Sequence, residues 1–223
     1  MDRKTHWEGI FTHHLTNDLT WYQPQLKTSL ELFAALDLIP TSRIIDTGSG
    51  DSNLVDDLLA QGFTNLTVLD VSSVALERTR LRLGKAATLV EWICEDILEL
   101  DLGERSFDLW HDRALFHFLV DPADRQHYLH TLDKALAECG YWLVATFAPQ
   151  GPEMCSGLST LRYNAEELSK LLGRDYRLIS TCYENHARPQ GGEQAFIYCC
   201  FQKYRGTSPL EEHPLRNQEL HHE

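Results

Sequence analysis

The run Ile44-Ile45-Asp46-Thr47-Gly48-Ser49-Gly50-Asp51-Ser52 decides how the rest of the chain is read. An apolar segment ends in an acid and two closely spaced glycines, and a second apolar segment, Leu66-Thr67-Val68-Leu69-Asp70, ends in an acid again. Glycine at 48 and 50 lets the backbone turn tightly after a buried strand and approach a ligand where a Cβ would clash. Asp70, at the tip of the second segment, is placed to accept both ribose hydroxyls of a nucleotide-type cofactor.

Strands are expected near 43–47, 66–71, 88–94, 107–111 and, after a turn at Gly140, from about 141. Helices are expected between them. Leu26, Leu30, Leu32, Phe33 and Leu36 form an apolar stripe of helical period that Pro40 ends, Gly62 stops a helix begun near Ser52, and Ser72 or Ser73 caps the next. Asp121-Pro122 opens a helix to about 137, with proline where its missing N–H costs nothing. The segments 175–184 and 194–204 flank Pro189-Gln190-Gly191-Gly192 and read as a hairpin. Trp7 to Tyr22 is aromatic without clear period, and the tail after Tyr204 buries little and is expected to be mobile. The alternation predicts an α/β fold: a mostly parallel seven-stranded sheet with helices on both faces and a C-terminal antiparallel hairpin. The expected organisation is a lid segment and helix at 1–42, a cofactor domain at 43–205 and the tail at 206–223.

A dinucleotide site would usually carry a third glycine at position 53, with phosphate at a helix N-terminus. Asn53 stands there and Asp51 follows Gly50, which disfavours phosphate and with it an NAD-dependent oxidoreductase. The pattern D-x-G-x-G from Asp46 to Gly50 resembles the first motif of class I S-adenosylmethionine (SAM) methyltransferases, whose ligand carries cations and no phosphate. Asp70-Val71-Ser72 resembles the ribose-binding end of that family's second strand. Glu95-Asp96-Ile97 resembles its adenine-binding segment, in which an acid meets the amino group and an apolar residue packs on the ring. Ser106–Asp112 and Leu136–Val144 resemble its fourth and fifth strands with the intervening helix end. The resemblance covers residues 43 to 148. It implies a Rossmann-like fold, SAM as cofactor, and Asp46, Gly48, Gly50, Asp70, Val71, Asp96 and Ile97 as cofactor residues.

Net charge is −13, from 20 Lys plus Arg against 33 Asp plus Glu, with the acids spread along the chain, which argues against a phosphate-tracking surface and nucleic-acid partners. Arg78-Thr79-Arg80-Leu81-Arg82 with Lys85 reads as a solvated helix face. Cysteines at 94, 139, 155, 182, 199 and 200 form no CxxC pair and no apolar leader precedes them, so a cytoplasmic location is expected. No run is long enough for a membrane span. The His13-His14 and His221-His222 pairs do not share a helix face, and no metal ligand set is read.

His111, after the fourth strand, is the candidate general base and a candidate cofactor contact; its alternative is a structural histidine bonding backbone. His117, between Phe116 and Phe118, reads as packed. Tyr22 and Gln23 are candidate lid contacts to the cofactor, on the resemblance of the Trp21-Tyr22 segment to lids of small methyltransferases. Cys155 and Arg162 are candidate acceptor contacts, within a frame of residues 21–23, 111–118 and 147–162. The pattern is similar to bacterial small-molecule methyltransferases of types 11 and 12, and Trp7 with Leu66–Val74 to protein lysine methyltransferases of type 12. The acidic balance favours a small acceptor such as a thiol, metalloid or carboxylate; a protein acceptor and a non-catalytic SAM-binding regulator are the alternatives.

Overall fold

The computed structural model describes residues 2–204; the tail expected at 206–223 lies outside them. The chain runs through α1 (Arg3–His13), α2 (Lys27–Ala34), β1 (Arg43–Thr47), α3 (Leu54–Ala60), β2 (Asn65–Asp70), α4 (Ser73–Leu83), β3 (Val90–Cys94), β4 (Phe107–Arg113), α5 (Pro122–Ala135), β5 (Leu136–Phe147), the two-residue strands β6 (Met154–Cys155) and β7 (Leu158–Ser159), α6 (Ala165–Leu172), β8 (Tyr176–Ala187) and β9 (Glu193–Lys203). Seven strands form one sheet in the order β3-β2-β1-β4-β5-β9-β8. The pairings from β3 to β5 are parallel, and β9 runs antiparallel to both β5 and β8. The strand order reverses between β1 and β4, where open α/β sheets leave a crevice at the strand carboxyl ends.

Parallel strands covered on both faces should be apolar at successive positions, and β1 and β2 are buried along nearly their whole length. The period-two geometry then sorts neighbours to opposite faces. Ile44, Leu109, Leu143 and Cys200 pack with Phe33, Leu54, Leu58 and Leu76 from α2, α3 and α4. Ile45, Trp110, Trp142 and Phe201 pack with Tyr128, Leu132 and Leu168 from α5 and α6. Ser72 caps α4 by accepting the Ala75 N–H, and Asp121 caps α5 ahead of its Pro122. Asn164 and Glu167 form a reciprocal capping box on α6.

Three local expectations need correction. The segment expected to be irregular begins with a helix, α1, capped by Asp2. Its apolar positions are few, and tertiary contacts rather than periodicity hold it: Glu8 accepts from the hydroxyls of Ser72 and Ser73 and from the Val74 N–H, while Arg78 donates to the carbonyls of Phe11 and His14. The second correction concerns Gly140, which lies inside β5 instead of preceding it. α5 ends at Ala135, and the β4–β5 register jumps from Phe107↔Leu136 to Leu109↔Tyr141, an irregularity that holds Cys139 at φ +61°.

The third concerns the basic stretch on α4 and just after it, where Lys85 is exposed but the arginines are partnered rather than free on a solvated face. Arg78 reaches Asp51 Oδ2 at 3.2 Å, Arg82 donates to the carbonyls of Asp51 (2.9 Å) and Ser52 (2.6 Å) and pairs with Asp56, and Arg80 lies 5.0 Å over the Trp92 ring. These arginines fasten the glycine turn and α1 to α4. No helix among the described residues is long and apolar enough to cross a membrane, and all six cysteines are free thiols.

Candidate active site

The crevice at the strand carboxyl ends is a cleft of about 1040 Å³, open mouth included. Its floor on one side is the turn after β1. Gly48 (φ +61°) and Gly50 (φ +55°) sit in the left-handed region that favours glycine. A Cβ on Gly48 would lie 2.6 Å from Leu115 Cδ1, and one on Gly50 would lie 3.0 Å from Phe11 Cζ, so the backbone is pressed between the β4 loop and α1. The turn itself is a cradle that side chains would fill.

Asp70 closes the cradle. Its Oδ2 accepts the Gly50 N–H at 2.7 Å and its Oδ1 the Ser72 N–H at 2.8 Å, which leaves each oxygen lone-pair capacity toward the cleft that Asp70 lines. Burial pushes its pKa up to about 6, against the two N–H bonds, with the nearby charges of Asp46 and Asp51 adding to the rise. Val71, Glu95, Asp96 and Ile97 continue the same wall. Asp96 Oδ1 accepts the Leu98 N–H at 3.0 Å and its Oδ2 lies 3.4 Å from Arg3 of α1.

Asp46 and His111 are register partners on β1 and β4 and both reach the cleft. His111 is buried at 1% exposure with both ring nitrogens engaged: Nδ1 lies 2.7 Å from Asp46 Oδ1 and Nε2 3.0 Å from Ser29 Oγ. With Nδ1–H donating to the carboxylate, Nε2 accepts the serine hydroxyl, so α2 is tied through the ring to the acid that faces the ligand. Asp112, next along β4, turns to the other face of the sheet. It accepts the Tyr128 hydroxyl (2.6 Å) and the N–H groups of Leu115 (3.0 Å) and Phe116 (3.2 Å), and burial pushes its pKa up to about 6 against those bonds.

Of the residues singled out from sequence, Asp46, Gly48, Gly50, Asp70, Val71, Asp96, Ile97 and His111 all border this one cleft. Tyr22 and Gln23 do not. The Gln23 amide is held by Glu184 and by His186 Nδ1, and Tyr22 packs with Phe11 and Leu19. Their neighbour Trp21 supplies the wall instead, together with Trp7 and Phe11 of α1. Asp51, invoked as repelling phosphate, does not border the cleft; it is turned to Thr16 Oγ1 (2.5 Å) and Arg78.

Cys155 borders the cleft, but burial raises its pKa, whereas Arg162 pairs with Glu153 at 2.8 Å and lies outside. His117 is fully buried, stacked 4.3 Å from Phe147, with its pKa pushed down to about 3 by burial and by the Arg113 charge, which fits the packed reading. Arg113, Phe147 and Phe196 line the end of the cleft over β4, β5 and β9. The first two lie in the acceptor frame expected at 111–118 and 147–162 without an individual role there, and Phe196 lies outside it; the available signal for Arg113 was a cation two residues after His111 at a strand end.

Comparison with known proteins agrees with this geometry. Residues 44–140 match a family model described as a methyltransferase domain. The chain is 22% identical over 157 residues to EEF1A lysine methyltransferase 2 of Danio rerio, which covers 64% of this chain and 67% of that protein. It spans less than half the length of other curated relatives it matches. Among solved structures, one concerned with conversion of a disulfide bond into a thioacetal group during echinomycin biosynthesis superposes with a TM-score of 0.72 at 16% identity, covering 92% of this chain and 95% of that one. The 1,6-didemethyltoxoflavin-N1-methyltransferase of Burkholderia thailandensis, with 1,6-didemethyltoxoflavin and S-adenosylhomocysteine bound, superposes at 0.63 with 22% identity, covering 81% and 78%. The glycine cradle with an acid at the end of each of the first three strands, the family model and these likenesses together support SAM as the cofactor over NAD. Residues 44–140 are a methyltransferase domain, in a fold shared with S-adenosylmethionine-dependent methyltransferases.

Proposed function

We propose that this methyltransferase acts on a small molecule enclosed over the carboxyl ends of β4, β5 and β9. The observation that carries the reading is the roof. Trp7 meets Phe118 edge-on at 4.9 Å and Trp21 at 5.9 Å, and Phe11 lies 6.3 Å from Trp21, so an aromatic cover spans the cleft. α1, which carries two of these rings, is tied at both ends: Arg3 to Asp96 and Asp124, and the Phe11 and His14 carbonyls to Arg78. A side chain presented by a folded protein would have to pass this cover, whereas a small acceptor needs it only to open and close.

SAM, when bound, would supply an electrophilic methyl carbon on its sulfonium, which the acceptor atom would take as the carbon–sulfur bond breaks and its electron pair stays on sulfur. What the chain contributes is placement. The glycine cradle, Asp70, Asp96 and Ile97 fix the nucleoside end, Asp46 faces the cationic end, and the aromatic roof keeps water from the transferring methyl. His111 serves in this reading by holding Asp46 and Ser29 rather than by removing a proton, because neither ring nitrogen is free.

The small molecule bound to the didemethyltoxoflavin methyltransferase supports this acceptor class, and the likeness to EEF1A lysine methyltransferase 2 supports the second reading, a protein lysine. Methyl-tritiated SAM and a cell extract split by ultrafiltration separate the two. Label in a low-mass product that separates from SAM by chromatography and requires the added protein is the expected result; protein-dependent label confined to polypeptide would overturn it.

A further inference from the structure

Arg113 ends β4 and borders the cleft, and it is 9% exposed. Its Nε donates to the Tyr198 hydroxyl at 3.0 Å and its Nη1 to the Trp21 carbonyl at 3.1 Å. The guanidinium lies 4.9 Å over the Phe196 ring. Nη2 is buried with no hydrogen-bond partner, and no carboxylate lies within ion-pair distance of the guanidinium among the described residues. Glu184 acts on the Tyr198 hydroxyl without pairing directly with the arginine. A buried cation without a counter-charge is costly, and of its five N–H donors only two are spent. The next residue, Ala114, is held at φ +73°, a strained conformation for alanine, while its N–H donates to the Ala145 carbonyl at 2.9 Å.

We infer that Arg113 is the anchor for a carboxylate on the methyl acceptor, so that the substrate is a small organic acid. This rests on the enclosed small-molecule reading above and names the substrate's chemical class. A carboxylate fits because the planar guanidinium, with Nη2 and the second Nη1 hydrogen free, presents a fork of matching geometry. The direction of the side chain assigns the carboxylate to the acceptor rather than to the cofactor. Both residues that hold and face it from the sheet, Tyr198 and Phe196, lie on β9, two strands beyond β4 and away from the glycine cradle on β1. The rest of that end is apolar, with Phe147, Phe196 and Phe118 around it, so the anchored acid carries an aromatic or aliphatic body. The same cation disfavours a lysine ammonium in that position.

The probes are phenylacetate and benzoate against their uncharged isosteres phenylacetamide and benzamide, titrated calorimetrically into the chain saturated with S-adenosylhomocysteine. The acids should bind at least about ten-fold more tightly than the amides. Arg113→Gln should erase that preference, Arg113→Lys should keep part of it, and S-adenosylhomocysteine affinity should stay within about two-fold in both variants. Equal binding of acids and amides to the unaltered chain, or binding of neither, overturns the inference whatever the variants do. So does a large loss of S-adenosylhomocysteine affinity in Arg113→Gln with an unchanged melting temperature, which would give the guanidinium to the cofactor's own carboxylate. If a lysine peptide is methylated and the acids do not compete, the small-molecule reading falls as well. If neutral molecules are methylated with Arg113→Gln indifferent, only the carboxylate anchor falls.

Discussion

Over β1, β2 and β3 the groups that face the cleft are backbone turns and short acids close together in sequence, while over β4, β5 and β9 they are long side chains brought from Trp7, Arg113, Phe147 and Phe196. The first half is built on strand tips, where two glycines and one acid fix the backbone regardless of what lies elsewhere in the chain. The second half depends on a helix before the sheet and an antiparallel strand after it agreeing on one cavity. The difference teaches why the cofactor is readable from a short motif and the acceptor is not: one site is local in sequence, the other exists only after folding.

The largest effect should come from the cradle. Gly48→Ala places a side chain at φ +61° with its Cβ 2.6 Å from Leu115. Left-handed strain of about 1–2 kcal/mol and overpacking of about 1–3 kcal/mol fall on the folded chain and lower its melting temperature, and relief of that strain by displacing the cradle should cost S-adenosylhomocysteine affinity about thirty-fold or more. Calorimetric titration beside a thermal melt checks it. Near-normal affinity would mean that the first half is as adaptable as the second, and the comparison would break.

Asp70 gives the next effect and ties it to pH. Asp70→Ala removes the acceptor for two backbone N–H groups and for the ribose, a loss of about 1.5–3 kcal/mol, or roughly ten-fold to a hundred-fold in cofactor affinity. Because the carboxyl of the folded chain titrates near 6, affinity in the unaltered chain should weaken as pH falls below that value, and Asp70→Ala should flatten the profile there. Stability runs the other way. A folded pKa of about 6 above an unfolded 3.8 means that the native chain keeps protons the unfolded chain has lost. Stability therefore declines as pH rises through about 4 to 6, by on the order of 3 kcal/mol each for Asp70 and Asp112. Urea melts at pH 4.5 and 7 without ligand measure this, and a flat or rising stability would refute the assignment.

Legibility followed the same division. The strands of the parallel half, the glycine turn and the acids at 46, 70 and 96 follow from periodicity, glycine placement and family resemblance, and the turn and the acids meet in one cleft. α1 escaped because its apolar residues form too short a stripe to signal a helix, and Glu8 contacts two α4 hydroxyls that only folding brings near. Arg78 and Arg82 looked solvated because their periodicity is that of an exposed face; their partners are carbonyls of the glycine turn and α1, which carry no residue signature. Tyr22 and Gln23 were one residue off in the sense that matters, since Trp21 faces the cleft and Gln23 is captured by Glu184.

The roof joins the halves, so its removal should affect both by a smaller factor. Trp7→Ala deletes edge-on contacts with Phe118 and Trp21 worth about 0.5–1.5 kcal/mol each. S-adenosylhomocysteine should dissociate several-fold faster, read by stopped-flow displacement, and the melting temperature should fall by a few degrees. An unchanged off-rate would show that α1 does not close over the cofactor.

The smallest effect is expected at Cys155, and its smallness is informative. The thiol borders the acceptor half, 4.0 Å from Thr20 Oγ1 and 3.8 Å from Ser156 Oγ, and burial raises its pKa above that of an ordinary thiol. A thiol held in its neutral form is a packing group rather than a nucleophile, since only the thiolate attacks carbon or binds a soft ligand. Cys155→Ala should accordingly alter turnover by less than about two-fold at pH 7, and alkylation of Cys155 by iodoacetamide should be slower than that of exposed Cys139. If the variant lost turnover while keeping S-adenosylhomocysteine affinity and its melting temperature, the acceptor half would contain a reacting sulfur as well as a cation. The contrast between a chemically specified cofactor half and a shape-specified acceptor half would then have to be redrawn around that thiol.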